Sequence, residues 1–303
     1  MSEPGLTRPR DIQDVVSRLA HFRSSEAALA AKELRSRESD VFVATYSKSG
    51  TTWLQQIVHQ LRSGASTDFE EISCVVPWLE SAYDIGIDPS SEQPYDFRAF
   101  KSHFKYSELP KPGRYITVFR NPFSVLSSFF RFFEGWWFER GTVSMDDFAN
   151  ALFLQGSAAG RYWDHLVNWW PQIEAEDTLV LCYEDCLLAP EKLPTVVADF
   201  LGLTIDAETM EKVILHASRP YMLAHSHQFD DHVLRSERDK IWGLPPGGGS
   251  SKVAAAREPI HLSSNTRLKM EEAWAQTIAP KLGFTTYEEF RAALPNPLEA
   301  TRP

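Results

Sequence analysis

Between Tyr46 and Trp53 the chain reads Tyr-Ser-Lys-Ser-Gly-Thr-Thr-Trp. Small residues at Ser47, Ser49 and Gly50 let backbone N–H groups approach a ligand closely. Ser49, Thr51 and Thr52 add hydroxyls, and Lys48 adds a point charge. This is chemistry for holding a phosphate or a related oxyanion. The run is not a Walker A loop, because the lysine precedes the glycine, and it contains no Gly-x-Gly-x-x-Gly dinucleotide fingerprint. The ordinary alternative is a βα turn capped by a hydroxyl residue.

Three other groups carry chemical potential. Lys101-Ser102-His103 ends an apolar run; an imidazole is the side chain suited to acid–base work near pH 7. His103 is one of 9 histidines, so strand-end context and Lys101 must argue for it. Arg120 opens a helix after a strand, where a guanidinium suits a phosphate. Ser128 lies two turns further along that helix. The run His-Ser-His-Gln-Phe-Asp-Asp-His contains His225, His227 and His232, which invites a metal reading.

The elements that must position these groups follow from periodicity. Val41–Tyr46 and Thr178–Tyr183 are short apolar runs, as is Tyr115–Phe119, and each predicts a buried strand. Phe97–His103 is a fourth candidate. Helical patterns follow the first strand and span Pro122 to about Phe133, Ser157–Trp170, Pro190–Leu201, Ala207–His216 and Asn265–Leu282. Residues 11–37 predict two amphipathic helices. Residues 217–260 show little periodicity and hold Pro245-Pro246 before Gly247-Gly248-Gly249, which suggests a loop acting as a lid. The expected architecture is a single α/β domain over 1–303, a mainly parallel sheet flanked by helices.

Composition narrows the classes. The chain has 303 residues, 43% hydrophobic and 24% charged, as expected of a globular protein. Its net charge of −10 argues against a nucleic-acid binder, so an anionic ligand needs a local basic site. Three cysteines make no disulfide framework. No signal peptide and no membrane span is evident, and a cytoplasmic protein is expected.

The segment Thr45–Trp53 resembles the 5′-phosphosulfate loop of cytosolic-type sulfotransferases, which use 3′-phosphoadenosine 5′-phosphosulfate (PAPS). Ser47 stands where that family has proline. Arg120 followed by Ser128 resembles the 3′-phosphate segment, Lys101-Ser102-His103 the stretch bearing the catalytic base, and Leu181–Asp185 the strand end whose Tyr183 lies by the adenine. Lys281–Phe290 is similar to the tail of bacterial members. The resemblance spans roughly residues 38–290. It implies a P-loop-kinase-like fold and no metal. Lys48, Lys101 and His103 become catalytic candidates: Lys48 at the departing oxygen, His103 as base, and Lys101 either assisting the sulfuryl oxygens or orienting the site. The donor contacts implied are Lys48, Ser49, Gly50, Thr51, Thr52, Trp53, Arg120, Ser128, Tyr183 and Ser218.

Two departures stand out. Residues 251–257 read Ser-Lys-Val-Ala-Ala-Ala-Arg where relatives carry an Arg-x-Gly-x-x-Gly-like segment, leaving Lys252 and Arg257 as substitutes. His216-Ala217-Ser218-Arg219 replaces a Thr-Ser-Phe-like stretch, so Arg219 could stack on the adenine. The acceptor is expected to be a small molecule in an aromatic pocket drawn from Trp78, Tyr83, Phe104, Phe133, Trp136 and Trp137, and oligomeric state is open. Hydroxyl sulfation is favoured. N-sulfation of a cationic acceptor read by Glu80 or Glu134 is the alternative. A metal enzyme built on His225, His227 and His232 is a third reading.

Overall fold

The computed structural model describes residues 6–157, 160–246, 252–253 and 262–300. At its centre lie four parallel strands, β1 (Val41–Ala44), β2 (Ala99–Ser102), β3 (Arg114–Phe119) and β4 (Thr178–Cys182), in the order β2-β1-β3-β4. Val43 sits opposite Lys101 on one side and Ile116 on the other. Every strand position except Arg114 is buried. Strands covered on both faces read as continuous apolar runs, which is why periodicity found them.

Successive side chains still face opposite sides. Phe42, Ala44, Phe100, Tyr115 and Phe119 join one core cluster. Val41, Val43, Ala99, Ile116 and Val118 join the other. The first cluster is the aromatic one, with Trp137, Trp163 and Trp169 all fully buried. The predicted α/β parallel architecture is therefore present.

Local signals set most helix ends. Asn121 accepts from the N–H groups of Phe123 and Ser124, and Pro122 takes the first helical position of Pro122–Phe133. Asp206 caps Ala207–His216. Asp11 caps Ile12–Leu19 and Ser24 caps Ser25–Glu33, the two expected N-terminal helices.

Two expectations change. The helix expected from Ser157 begins at Tyr162, because Gly156 and Gly160 both take positive φ, which a helix does not accept. The stretch 217–246 is far from structureless. It holds helices Arg219–Ala224 and His232–Arg238 with a 3₁₀ turn at Ser226–Phe229. Met222, Phe229, Leu234, Trp242 and Leu244 are buried there. Helices of six or seven residues complete too few turns to leave a periodic signature. Residues 247–251 and Arg257 lie outside the described residues. Among those described, no helix is long and apolar enough to cross a membrane.

Candidate functional site

The carboxyl ends of β1, β2 and β3 open into a cavity of about 780 Å³. Its walls include Lys48, Gly50, Thr51, Thr52, Trp53, Lys101, His103, Arg120, Ser128, Tyr183, Ser218 and Lys252. One wall is the loop after β1. Lys48 adopts φ 68° and Gly50 φ 110°; a left-handed non-glycine residue costs roughly 1–2 kcal/mol and persists only when its surroundings enforce it. Here Arg120 supplies part of that enforcement, donating from Nη1 to the Lys48 carbonyl at 2.7 Å. Gly50 is required twice over, since a Cβ there would sit 3.0 Å from the Tyr183 ring. No side chain caps the first turn of the Thr51–Arg62 helix; the Trp53 N–H donates to the Gly50 carbonyl, and the Thr51 and Thr52 amides are the donors placed for an anion.

The Lys48 ammonium lies 4.1 Å from the centre of the Phe132 ring. It keeps partial exposure to the cavity. Burial, aided by Lys252, Arg120 and Lys101, pushes its pKa down to about 7 against the opposing pull of Asp231. The Arg120 guanidinium stacks 4.1 Å from the Tyr183 ring, and its Nε has no hydrogen-bond partner. Trp53 donates to the Ala217 carbonyl at 2.9 Å and meets Tyr183 edge-on. Thr51 turns its hydroxyl inward to Thr45 at 2.6 Å. Ser49 departs from expectation. Its side chain is fully buried, outside the cavity wall, with Oγ unpartnered.

His103 follows β2 and is 7% exposed. Its Nδ1 lies 2.8 Å from the Thr45 carbonyl. A carbonyl oxygen only accepts, so Nδ1 carries the proton and Nε2 holds the lone pair. Burial, followed by the charge of Lys101, holds the ring well below its ordinary pKa and therefore neutral. The His103 backbone N–H donates to the Glu80 carboxylate at 2.7 Å. Trp78 organises this corner: its ring meets His103 edge-on at 5.2 Å and lies 4.0 Å beneath the Lys101 ammonium. Lys101 is buried, and its pKa falls to about 7, chiefly by desolvation.

The segment after residue 217 brings Ser218, Arg219, Asp231 and Lys252 to the cavity. Ser218 caps its helix by accepting from Tyr221 at 3.3 Å. Asp231, left-handed at φ 58° and 2% exposed, pairs with Lys252. The neighbouring lysines hold its carboxyl below its usual value despite burial. Sequence reading missed Asp231 as a cavity residue, having assigned it to the histidine run. The imidazoles of that run take different partners. His225 Nδ1 lies 2.9 Å from the Tyr221 carbonyl, and His232 pairs with Asp230. Among the described residues no three His, Cys, Asp or Glu side chains form a metal cluster.

The aromatic pocket needs revision too. Trp78, Phe133 and Trp136 line the cavity, together with Phe129, Phe132 and the unpredicted Phe22. Tyr83 is 51% exposed and away from it, whereas Trp137 is fully buried in the core. Phe104 packs against that core as well. A full-volume core indole and a cavity-wall indole have the same sequence appearance, so Trp136 and Trp137 could not be told apart from their neighbours alone.

Comparisons with known proteins point to one family. A sulfotransferase domain model matches residues 38–240. Human sulfotransferase 2A1 is 28% identical over 206 residues, covering 65% of this chain and 71% of that protein. The fold is similar to mouse sulfotransferase SULT7A1 complexed with PAP, with a TM-score of 0.62 at 18% identity over 93% of this chain and 95% of that one. It is also similar to retinol dehydratase in complex with androsterone and inactive cofactor PAP, with a TM-score of 0.59 at 18% identity over 85% and 84%. With two thirds of its length inside the matched domain and the same fold throughout, the chain belongs to the sulfotransferase family.

Proposed function

We propose that the protein transfers a sulfuryl group from PAPS to a hydroxyl of a small molecule, with His103 as general base. The observation that carries this reading is the state of His103. Its Nδ1 is committed to Thr45, burial keeps its ring neutral, and the residue lines the cavity shared with Lys48 and Arg120. PAP, named with the two structural relatives, is read as the desulfated donor.

The residues fit such a bisphosphate. The Gly50 backbone and the uncapped helix turn offer N–H donors to the 5′-phosphate. Arg120, with an unpartnered Nε, and Ser128 suit the 3′-phosphate. Trp53 and Tyr183 suit the adenine, with Thr52, Ser218 and Lys252 completing the wall. In the reaction the acceptor hydroxyl gives its proton to His103 Nε2 as its oxygen bonds to sulfur. The bond from sulfur to the donor phosphate oxygen breaks, and the charge gathering on that oxygen is met by Lys48. A polyanion beside Lys48 and Lys101 restores both to the cationic form. An apolar acceptor is supported by the aromatic wall and by androsterone in the retinol dehydratase complex. The reading treats the chain as one catalytic domain.

The test is direct. Purified protein is incubated with PAPS and a panel of phenols and alcohols, and mass spectrometry follows sulfuryl gain by the acceptor and release of PAP. Stoichiometric sulfated product supports the reading; PAP release without any sulfated acceptor, or no release at all, overturns it.

A further inference from the structure

Part of the cavity wall is built by the turn after the first helix. Leu19, Phe22 and Arg23 enter the wall there, beside Trp78, Phe133 and Trp136. This turn is held from several sides. Phe22 stacks on Trp242 with centroids 5.0 Å apart and planes 5° from parallel. The His21 carbonyl accepts from Arg238 and from Trp242 Nε1, both at 3.1 Å. Ser24 donates its N–H to Asp84 at 3.3 Å while its hydroxyl caps the next helix. Arg23 is thus fixed in place between two pinned neighbours.

What Arg23 does with its five donors is unusual. Its side chain is 17% exposed, and Glu80 stands 3.9 Å from Nη2, at the limit of an ion pair. Its Nε is buried without a hydrogen-bond partner. The guanidinium lies 5.5 Å from the centre of the Trp78 ring, the same ring that His103 and Lys101 contact. A largely buried guanidinium that fills none of its donors with short bonds, on the aromatic side of the cavity beside Phe22 and Trp78, is matched to a ligand group with two acceptor oxygens. A cationic acceptor would meet Arg23 as a like charge.

Resting on the sulfuryl-transfer reading, we propose that the acceptor is an apolar hydroxylated molecule bearing a carboxylate, and that Arg23 is the residue that reads this carboxylate. The apolar body lies among Phe22, Trp78, Phe133 and Trp136. Its hydroxyl reaches His103, and its carboxylate lies against the guanidinium fork.

The experiment compares 4-hydroxyphenyl alkanoates of increasing chain length with their methyl esters, measuring kcat/KM with PAPS. At the best length the acid is expected to exceed its own ester roughly 10- to 100-fold, the usual worth of a charge-assisted hydrogen bond. Arg23→Leu is expected to remove that preference by lowering the acid and sparing the ester. Arg23→Lys keeps a cation beside Glu80 and so guards against misfolding; it is expected to retain only part of the preference, because an ammonium lacks the fork. Equal turnover of acid and ester by the wild type at every length overturns the assignment without any variant. So does a parallel loss for both acceptors in Arg23→Leu, which would mark Arg23 as a prop for Glu80. If neither acids nor esters are sulfated, the transfer reading fails and takes this assignment with it, whereas sulfated esters without acid preference defeat the Arg23 assignment alone.

Discussion

The two halves of the cavity are built on opposite principles. The half at the strand ends comes from contiguous segments, each a strand end running into a loop or directly into a helix. Lys48, Gly50 and Thr51 follow β1, Arg120 follows β3, and Tyr183 follows β4. Its polar groups are held by backbone contacts such as Arg120 to the Lys48 carbonyl. The aromatic half gathers Phe22, Trp78, Phe133 and Trp136 from segments spread along the chain, and its shape depends on how side chains pack. Backbone geometry of a short loop tolerates few sequences, whereas an apolar wall tolerates many. The first half should therefore control donor binding and the second should control acceptor choice.

Four measurements break or sharpen that division, from the largest expected effect to the smallest. His103→Ala sits at the junction and is expected to lower kcat by about 10²–10⁴ while PAP affinity by calorimetry is unchanged. A mutant that keeps more than half its rate would remove the base role. Arg120→Ala belongs to the strand-end half. It is expected to weaken PAP roughly 10- to 100-fold and to erase the preference for PAP over adenosine 5′-phosphate, with acceptor KM nearly unchanged. Equal discrimination by mutant and wild type would take Arg120 off the 3′-phosphate.

The third concerns Lys48 and Lys101, both held near 7 without ligand. Bound phosphate favours their charged forms, so the ligand-bound pKa values exceed the free ones. Binding then takes up protons above pH 7, and PAP affinity is expected to fall as pH rises, by up to about 5-fold per lysine between pH 7 and 8. Calorimetry in buffers of different ionisation enthalpy reads the uptake; zero net proton transfer at pH 8 would contradict it. The smallest expected effect is none: exhaustive chelation with EDTA should leave the rate within error, since the cations assigned to the donor are side chains. Loss restored by added zinc or iron would instead revive a metal role.

Much of the strand-end half was legible in the sequence. Lys48, Gly50, Lys101, His103, Arg120 and Ser128 were all singled out, and all line one cavity. Short loops at strand ends leave that legibility because a left-handed glycine, a lysine and adjacent hydroxyls must be adjacent in the chain to work together. Ser49 shows the limit: the motif includes it, yet its hydroxyl faces the interior. The short helices between 219 and 238 were not legible for want of periodicity, and with them Asp231 and its pairing with Lys252 went unseen.

The amino-acid sequence by itself determined the parallel sheet, the loop after β1 and the chemistry those residues can perform. These rest on local rules: apolar runs for strands buried on two faces, and caps and glycines at turns. Only the tertiary structure decided which aromatics form a wall and which form the core, and it alone placed Arg23 beside Glu80 across 57 residues of chain. Such contacts depend on packing between segments far apart in sequence, and no neighbouring residue records them.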